Sequence, residues 1–222
     1  MIFRSRSMRH SLRRGVAYIE LAFLLTVFIP LMLGVISCGL NMHLQLQTVQ
    51  LARDAGHMFA RYIDFTLLGN QQVLAAVSGT LGLSTTAGSG NAVVILSTVR
   101  YVDVSACQQA GKVDTHGNPS GCTNYTQWVF AKRLVIGNNT LRTSNLGTPS
   151  GSILASDGSV SITNQVTNTS DVANITGINP WNSTTSTGLP SGQVVYVAEA
   201  AAQGFHMPPF SSGTNTYAQV YF

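Results

Sequence analysis

The chain has 222 residues, 9% of them charged and 45% apolar, with a formal net charge of +4. Ordinary globular domains carry roughly 25% charged residues, so a charged coiled-coil rod, a disordered acidic or basic tail and a freely soluble charged enzyme all fit poorly. Arg4, Arg6, Arg9, Arg13 and Arg14 hold five of the positive charges, leaving seven basic against eight acidic residues elsewhere. The basic character belongs to a short leader, and no nucleic-acid partner is expected.

Residues 16–40, VAYIELAFLLTVFIPLMLGVISCGL, form an apolar run of 25 residues. At 1.5 Å per residue a helix of this length covers about 37 Å, more than the roughly 30 Å hydrocarbon core of a bilayer. No Lys or Arg lies between Arg14 and Arg53, so the positive-inside rule puts residues 1–14 in the cytoplasm and everything after Leu40 outside it. Glu20 is the exception in the run. A carboxylate at the centre of a span costs roughly 2.5–3.5 kcal/mol, less near the interface, and no basic residue in the run offsets it. Cutting the chain just upstream would expose an α-ammonium as a partner. Arg13-Arg14-Gly15-Val16-Ala17-Tyr18-Ile19-Glu20 places a small residue where such a cut would fall.

Two other readings of the run stand beside this one. Val35-Ile36-Ser37-Cys38 resembles a lipobox, which would make the chain a lipoprotein anchored at Cys38. A plain signal anchor with an incidental Glu20 is the other, and either would leave the outer part as a membrane-anchored binding module. A secretory signal peptide fits less well, because the run exceeds a usual h-region and no A-x-A site ends it.

Past the membrane, Leu44, Leu51, Ala55, Met58, Tyr62 and Phe65 recur at helical steps and predict an amphipathic stalk over residues 41–68. His57 falls on another face and reads as a solvated surface histidine. From residue 69 the composition turns to Gly, Ser, Thr and Asn, with 79–91 a loop. Strands are predicted at 92–104, 127–136 and 193–201, with Trp128, Phe130, Leu134 and Ile136 sharing one face of the second. Asp157-Gly158 signals a short hairpin between 152–154 and 160–162. Residues 164–192 read as a loop-rich insertion, and 217–222 as a strand with Ala218, Val220 and Phe222 on one face.

Cys107 and Cys122 flank a Gly/Pro/Asn-rich loop in the exported part, where disulfides persist, and a bridge between them is expected. With His116 they supply at most three metal ligands at no common spacing, so no zinc site is expected. The motifs G-x-S-x-G, G-x-x-x-x-G-K-[ST] and H-E-x-x-H do not occur. Asp114 and His116 come nearest to an acid/base pair, in the turn-rich stretch DTHGNPSG. The expected chain is no enzyme and takes no cofactor or metal.

The basic leader, Gly15, the uncut apolar run and Glu20 together resemble the class III prepilin signal of type IV pilins and pseudopilins. Gly15-x4-Glu20 followed by Pro30 is similar to the layout of TadE-like proteins, minor pseudopilins of the tight-adherence (Flp) pilus, although Pro30 lies ten residues past Glu20. The later order also looks like a TadE-like periplasmic domain: a Cys pair, a Trp-containing strand ending Leu134-Val135-Ile136-Gly137-Asn138, Val195-Tyr196-Val197-Ala198-Glu199, and an aromatic-ended strand. The resemblance implies a cut between Gly15 and Val16 by a prepilin peptidase, methylation of the new N-terminus, and a recognition and pairing role for Glu20. It implies as partners that peptidase, other pilins and pseudopilins, the inner-membrane assembly platform and membrane lipid.

The expected architecture is α+β and pilin-like. Residues 1–15 form a leader, 16–40 a transmembrane helix, 41–68 a stalk, and 69–222 a small antiparallel β-rich extracytoplasmic domain with a disulfide. The expected role is pilus biogenesis and surface adherence, from the bacterial cytoplasmic membrane.

Overall fold

The structure, a computed structural model, describes residues 8–179 and 188–222, with residues 8–16 as backbone only. Residues 1–7 of the expected leader and 180–187 of the expected insertion lie outside the described residues. In chain order the elements are α1 (Met8–Ala60), α2 (Leu68–Val77), β1 (Ala92–Tyr101), α3 (Val104–Gln109), β2 (Trp128–Gly137), α4 (Ile162–Thr167), β3 (Val194–Ala202), β4 (His206–Met207), β5 (Ser211–Ser212) and β6 (Thr216–Tyr221). The chain divides into two compact units: Met1–His43 with Phe205–Thr214, and Leu44–Gly204 with Asn215–Phe222.

The larger unit is a four-stranded antiparallel sheet in the order β2-β1-β3-β6 with the last turns of α1 packed on one face. Side chains alternate across a strand, so Ala92, Val94 and Leu96 of β1 and Ala198, Ala200 and Ala202 of β3 meet Leu51, Ala52, Ala55 and Phe59 of α1 in one buried cluster. Alanines make up four of these six sheet residues and two of the four helix residues, which lets helix and sheet approach closely. Gly56 takes this furthest: a Cβ there would lie 2.0 Å from Phe222 Cε2, so the aromatic ring occupies the space a side chain would need. Thr48 and Thr216 share a buried hydroxyl hydrogen bond of 2.7 Å across the same contact.

The expected stalk is helical only to Ala60. The reason is a C-terminal cap of the Schellman type: Ile63 N–H donates to the Met58 carbonyl and Tyr62 N–H to that of Phe59, with Tyr62 in the left-handed region at φ +63°. Tyr62 therefore leaves the apolar stripe and stands 83% exposed, while Phe65 is buried after the turn. Asp64 stabilises that turn by accepting from the Thr66 N–H at 2.9 Å. A second helix, α2, follows where no element was expected.

β1, β2 and β3 lie close to the expected strands, but β2 does not keep one apolar face. Thr98 pairs with Lys132 and Val99 with Phe130, so Ala131 is an extra residue, a β-bulge. The bulge reverses the alternation. Leu134 and Ile136 face α1, whereas Trp128 and Phe130 pack on the opposite side with Val99, Val195 and Val197. The expected 152–162 hairpin is reduced to one bridge, Leu154 to Val160, preceded by a turn of 3-10 helix and followed by α4. Its turn lies along the edge of β2: Arg133 N–H donates to the Gly158 carbonyl at 2.7 Å. Gly158 is required there, since its φ is +77° and a Cβ would lie 2.2 Å from the Arg133 carbonyl oxygen. Ala218, Val220 and Phe222 share the α1-facing side as expected.

Candidate functional site

The apolar part of α1 is the first candidate. It is the one helix among the described residues long and apolar enough to cross a membrane, with mean hydropathy 2.5 in its most apolar window. From Ala17 to Leu40 nearly every side chain is exposed, Tyr18, Phe23, Leu24 and Val27 among the most exposed, and Ser37 alone is buried. Glu20 is exposed on this helix. Gly15 and Val16 belong to the same continuous helical backbone, their side chains outside the described set. Val16 and Glu20 are four residues apart, one above the other on a helix face. Pro30 lies inside the helix without ending it. Cys38 is a free, exposed cysteine in mid-helix, and the helix runs on to Ala60 where a lipoprotein would have a flexible tether.

In the larger unit, Cys107 and Cys122 form a disulfide with Cα atoms 5.8 Å apart. It joins α3 to the segment before β2 within a buried cluster of Val102, Ala106, Val129 and Val166. Asp103 caps α3, its carboxylate accepting from the Ala106 N–H at 2.9 Å. The Asp114 carboxylate accepts from the backbone N–H of His116 at 2.9 Å and of Asn118 at 2.8 Å. These bonds, the Asn118 N–H foremost, hold it below the usual carboxylate range. Asp114 is thus committed to its own turn, and the His116 ring faces the Thr115 hydroxyl instead. His57 packs its ring edge-on to Phe222 at 4.7 Å between centroids. Among the described residues no group of three or more His, Cys, Asp and Glu comes together.

Two buried acids escape a reading of the sequence. Glu199, in β3, is fully buried on the face away from α1 and takes hydrogen bonds from Tyr217 Oη at 2.6 Å, from Asn145 N–H at 2.9 Å and from the Ser144 hydroxyl. Arg133 is buried beside them and donates to Ser97 Oγ at 2.9 Å. Burial lowers the Arg133 pKa to about 10, with the Glu199 charge working against the shift. Burial, and then the bond to Glu199, push the Tyr217 phenol well above its ordinary value. The network clamps the loop after β2 over the sheet, where Leu141 and Leu146 add apolar cover. Asp171 is the second, fully buried, and neither carboxylate oxygen has a hydrogen-bond partner among the described residues. Burial pushes its pKa up to about 7.

An open groove of about 260 Å³ lies where α1 ends, lined by Phe59, Tyr62, Ile63, Asp64, Lys132 and Tyr196. Tyr196 meets both Phe59 and Tyr62 edge-on. No curated protein and no solved structure matches the chain. Residues 15–57 match the model of a family described as TadE-like protein, so the chain carries a TadE-like domain over the segment that holds Gly15, Val16, Glu20 and Pro30.

Proposed function

We propose that this chain is a minor pseudopilin-like component of a Flp-type pilus assembly machinery, cut by a prepilin peptidase and needed for pilus biogenesis and surface adherence. The observation that carries the reading is the TadE-like match, which begins at Gly15, the residue where the basic leader meets the apolar helix. Residues 1–15 are removed, 16–40 span the cytoplasmic membrane with the N-terminus inside, and 41–222 form the extracytoplasmic part. Within that part the stalk is helical to Ala60, and the disulfide joins α3 to the segment before β2.

The chemistry of Glu20 follows from helix geometry. Cutting before Val16 leaves a new ammonium at the first residue of a helix and a carboxylate one turn further along. Helical side chains lean toward the N-terminus, so the Glu20 carboxylate reaches back over that turn. The helix dipole adds to the attraction, since its N-terminal end carries a partial positive charge. In lipid the pair replaces a lone carboxylate, either within this chain or with the ammonium of a neighbouring subunit. Partners follow from this: the peptidase at Gly15–Val16, other pilins and pseudopilins along the helix, the inner-membrane assembly platform, and lipid.

Intact mass and N-terminal sequencing of membrane-extracted protein, with and without the cognate prepilin peptidase, test the reading. The expected product starts at N-methylated Val16 and is lost without the peptidase or in Gly15 variants. A start at lipidated Cys38, or an intact Met1 in the presence of the peptidase, would sink it.

A further inference from the structure

Between β3 and β6 the chain makes a hairpin, Phe205–Thr214, in the same compact unit as the apolar part of α1. Polar groups hold its two ends at Asn41. The Phe205 N–H donates to Asn41 Oδ1 at 3.1 Å, and Asn41 Nδ2 donates to Ser211 Oγ at 3.0 Å. The Ser211 hydroxyl donates in turn to the Phe205 carbonyl. Beyond these groups the tip is apolar: Met207-Pro208-Pro209-Phe210. A Cβ placed on Gly34 would lie 3.6 Å from Phe210 Cδ1, an ordinary contact distance, so the ring rests on the helix at Gly34.

Gly34 stands six residues before Leu40, the end of the apolar run. At 1.5 Å per residue that is about 9 Å along the axis. The ring therefore reaches well past the polar level marked by Asn41. Pro208, Pro209 and Phe210 are exposed, the Phe210 ring on the side not covered by Gly34. The tip also suits an environment without water, where unpaired backbone donors are costly. Neither proline has an N–H, and the Phe210 N–H donates to the Met207 carbonyl at 2.8 Å. No Asp, Glu, Lys or Arg occurs between Glu199 and Phe222.

We infer that the Met207–Phe210 tip is a second membrane contact, buried among acyl chains beside α1 in the leaflet at the Leu40 end of the span. The inference rests on the reading of residues 16–40 as a membrane span. It gives the protein an anchor at two points of its chain, with Asn41 joining the two at the membrane surface. A helix alone is free to slide and rotate. A wedge attached to it fixes both its depth and the face it turns to neighbouring helices.

The test is site-directed spin labelling of the full-length chain in phosphatidylcholine vesicles, with Cys38→Ser removing the free thiol. A nitroxide is placed at Phe210→Cys, and its collision rates with oxygen, which partitions into lipid, and with a water-soluble nickel chelate are compared. Phe28→Cys in mid-span and Tyr62→Cys on the exposed turn are the references. The expected result is an oxygen-to-nickel ratio at position 210 several-fold above that at 62 and approaching that at 28. A ratio at 210 equal to that at 62, with 28 reading as lipid, overturns the inference and leaves the span intact. If position 28 itself reads as water, the span reading fails. Pro209→Cys repeats the measurement with Phe210 and its contact to Gly34 retained, and must give the same ordering.

Discussion

Replacing Asp171 by Asn removes a carboxylate that the fold can bury only at a cost. Asp171 sits in the short 3-10 turn Thr169–Asp171, fully buried, with both oxygens lacking a partner among the described residues. Burial raises its pKa from the ordinary 3.8 to about 7. The folded state then holds this proton more tightly than the unfolded chain. Its contribution to stability is fully present below pH 3.8, falls as pH rises toward 7, and is lost above that. At 1.36 kcal/mol per pH unit the interval amounts to roughly 4 kcal/mol. Asn has the shape of the protonated acid and no charge to bury. In urea unfolding of the full chain in detergent, followed by tryptophan fluorescence, Asp171→Asn is expected to match the wild type within about 1 kcal/mol near pH 4 and to exceed it by about 2–4 kcal/mol at pH 8. The reasoning fails if the wild type is as stable at pH 8 as at pH 5 and Asp171→Asn weakens it equally at both. That result would mean an ionised carboxylate held by favourable contacts.

Two further substitutions test the packing. Gly56→Ala is expected to destabilise the larger unit by about 1–3 kcal/mol, the usual range for overpacking, although Ala is the better helix former by about 1 kcal/mol. In a Phe222→Ala background the same change should become neutral or stabilising, because the ring 2.0 Å from the added Cβ is gone; a penalty that persists would place the conflict elsewhere. The double variant Cys107→Ser, Cys122→Ser opens a loop of 15 residues and is expected to cost about 3 kcal/mol in the same unfolding assay, with an unchanged midpoint refuting it.

The parts of the fold that local rules govern were legible in the sequence, and the departures have local physical causes. β1 and β3 read clearly because both faces are covered and Val, Ile and Ala crowd them. The end of α1 did not, because its left-handed cap is Tyr62 where glycine is the usual signal. Read without that cap, the apolar spacing runs straight on to Phe65. In β2 the even spacing of Trp128, Phe130, Leu134 and Ile136 suggested one face, with Lys132 as an interruption. The single extra residue Ala131 turns the same spacing into two faces. The residue before α2, Leu67, makes no side-chain cap, so the sequence gives no start signal there.

The buried polar groups were invisible for a different reason. Glu199 gathers partners from β6 and from the loop at Ser144 and Asn145, 55 and 54 residues away along the chain. Nothing at Val195-Tyr196-Val197-Ala198-Glu199 marks the acid as buried, since an exposed Glu on an edge strand would look the same. The long apolar segment, consistent with a membrane anchor, is the opposite case. There lipid would impose its rules on each residue separately: a run of 25 residues, apolar apart from Glu20, Thr26 and Ser37, is long enough to span, five arginines set the expected side, and a lone carboxylate demands a partner. None of these needs a distant contact to be evaluated. The likeness to the TadE-like family was accordingly readable over residues 15–57, whereas the larger unit follows from contacts that form only when distant strands meet. Under the proposed function, a change at Gly15 or Glu20 is expected to act on processing and insertion while leaving the Glu199 network as it is, and a change at Glu199 the reverse, so the two sets of variants should separate in any assay that scores cleavage and folding independently.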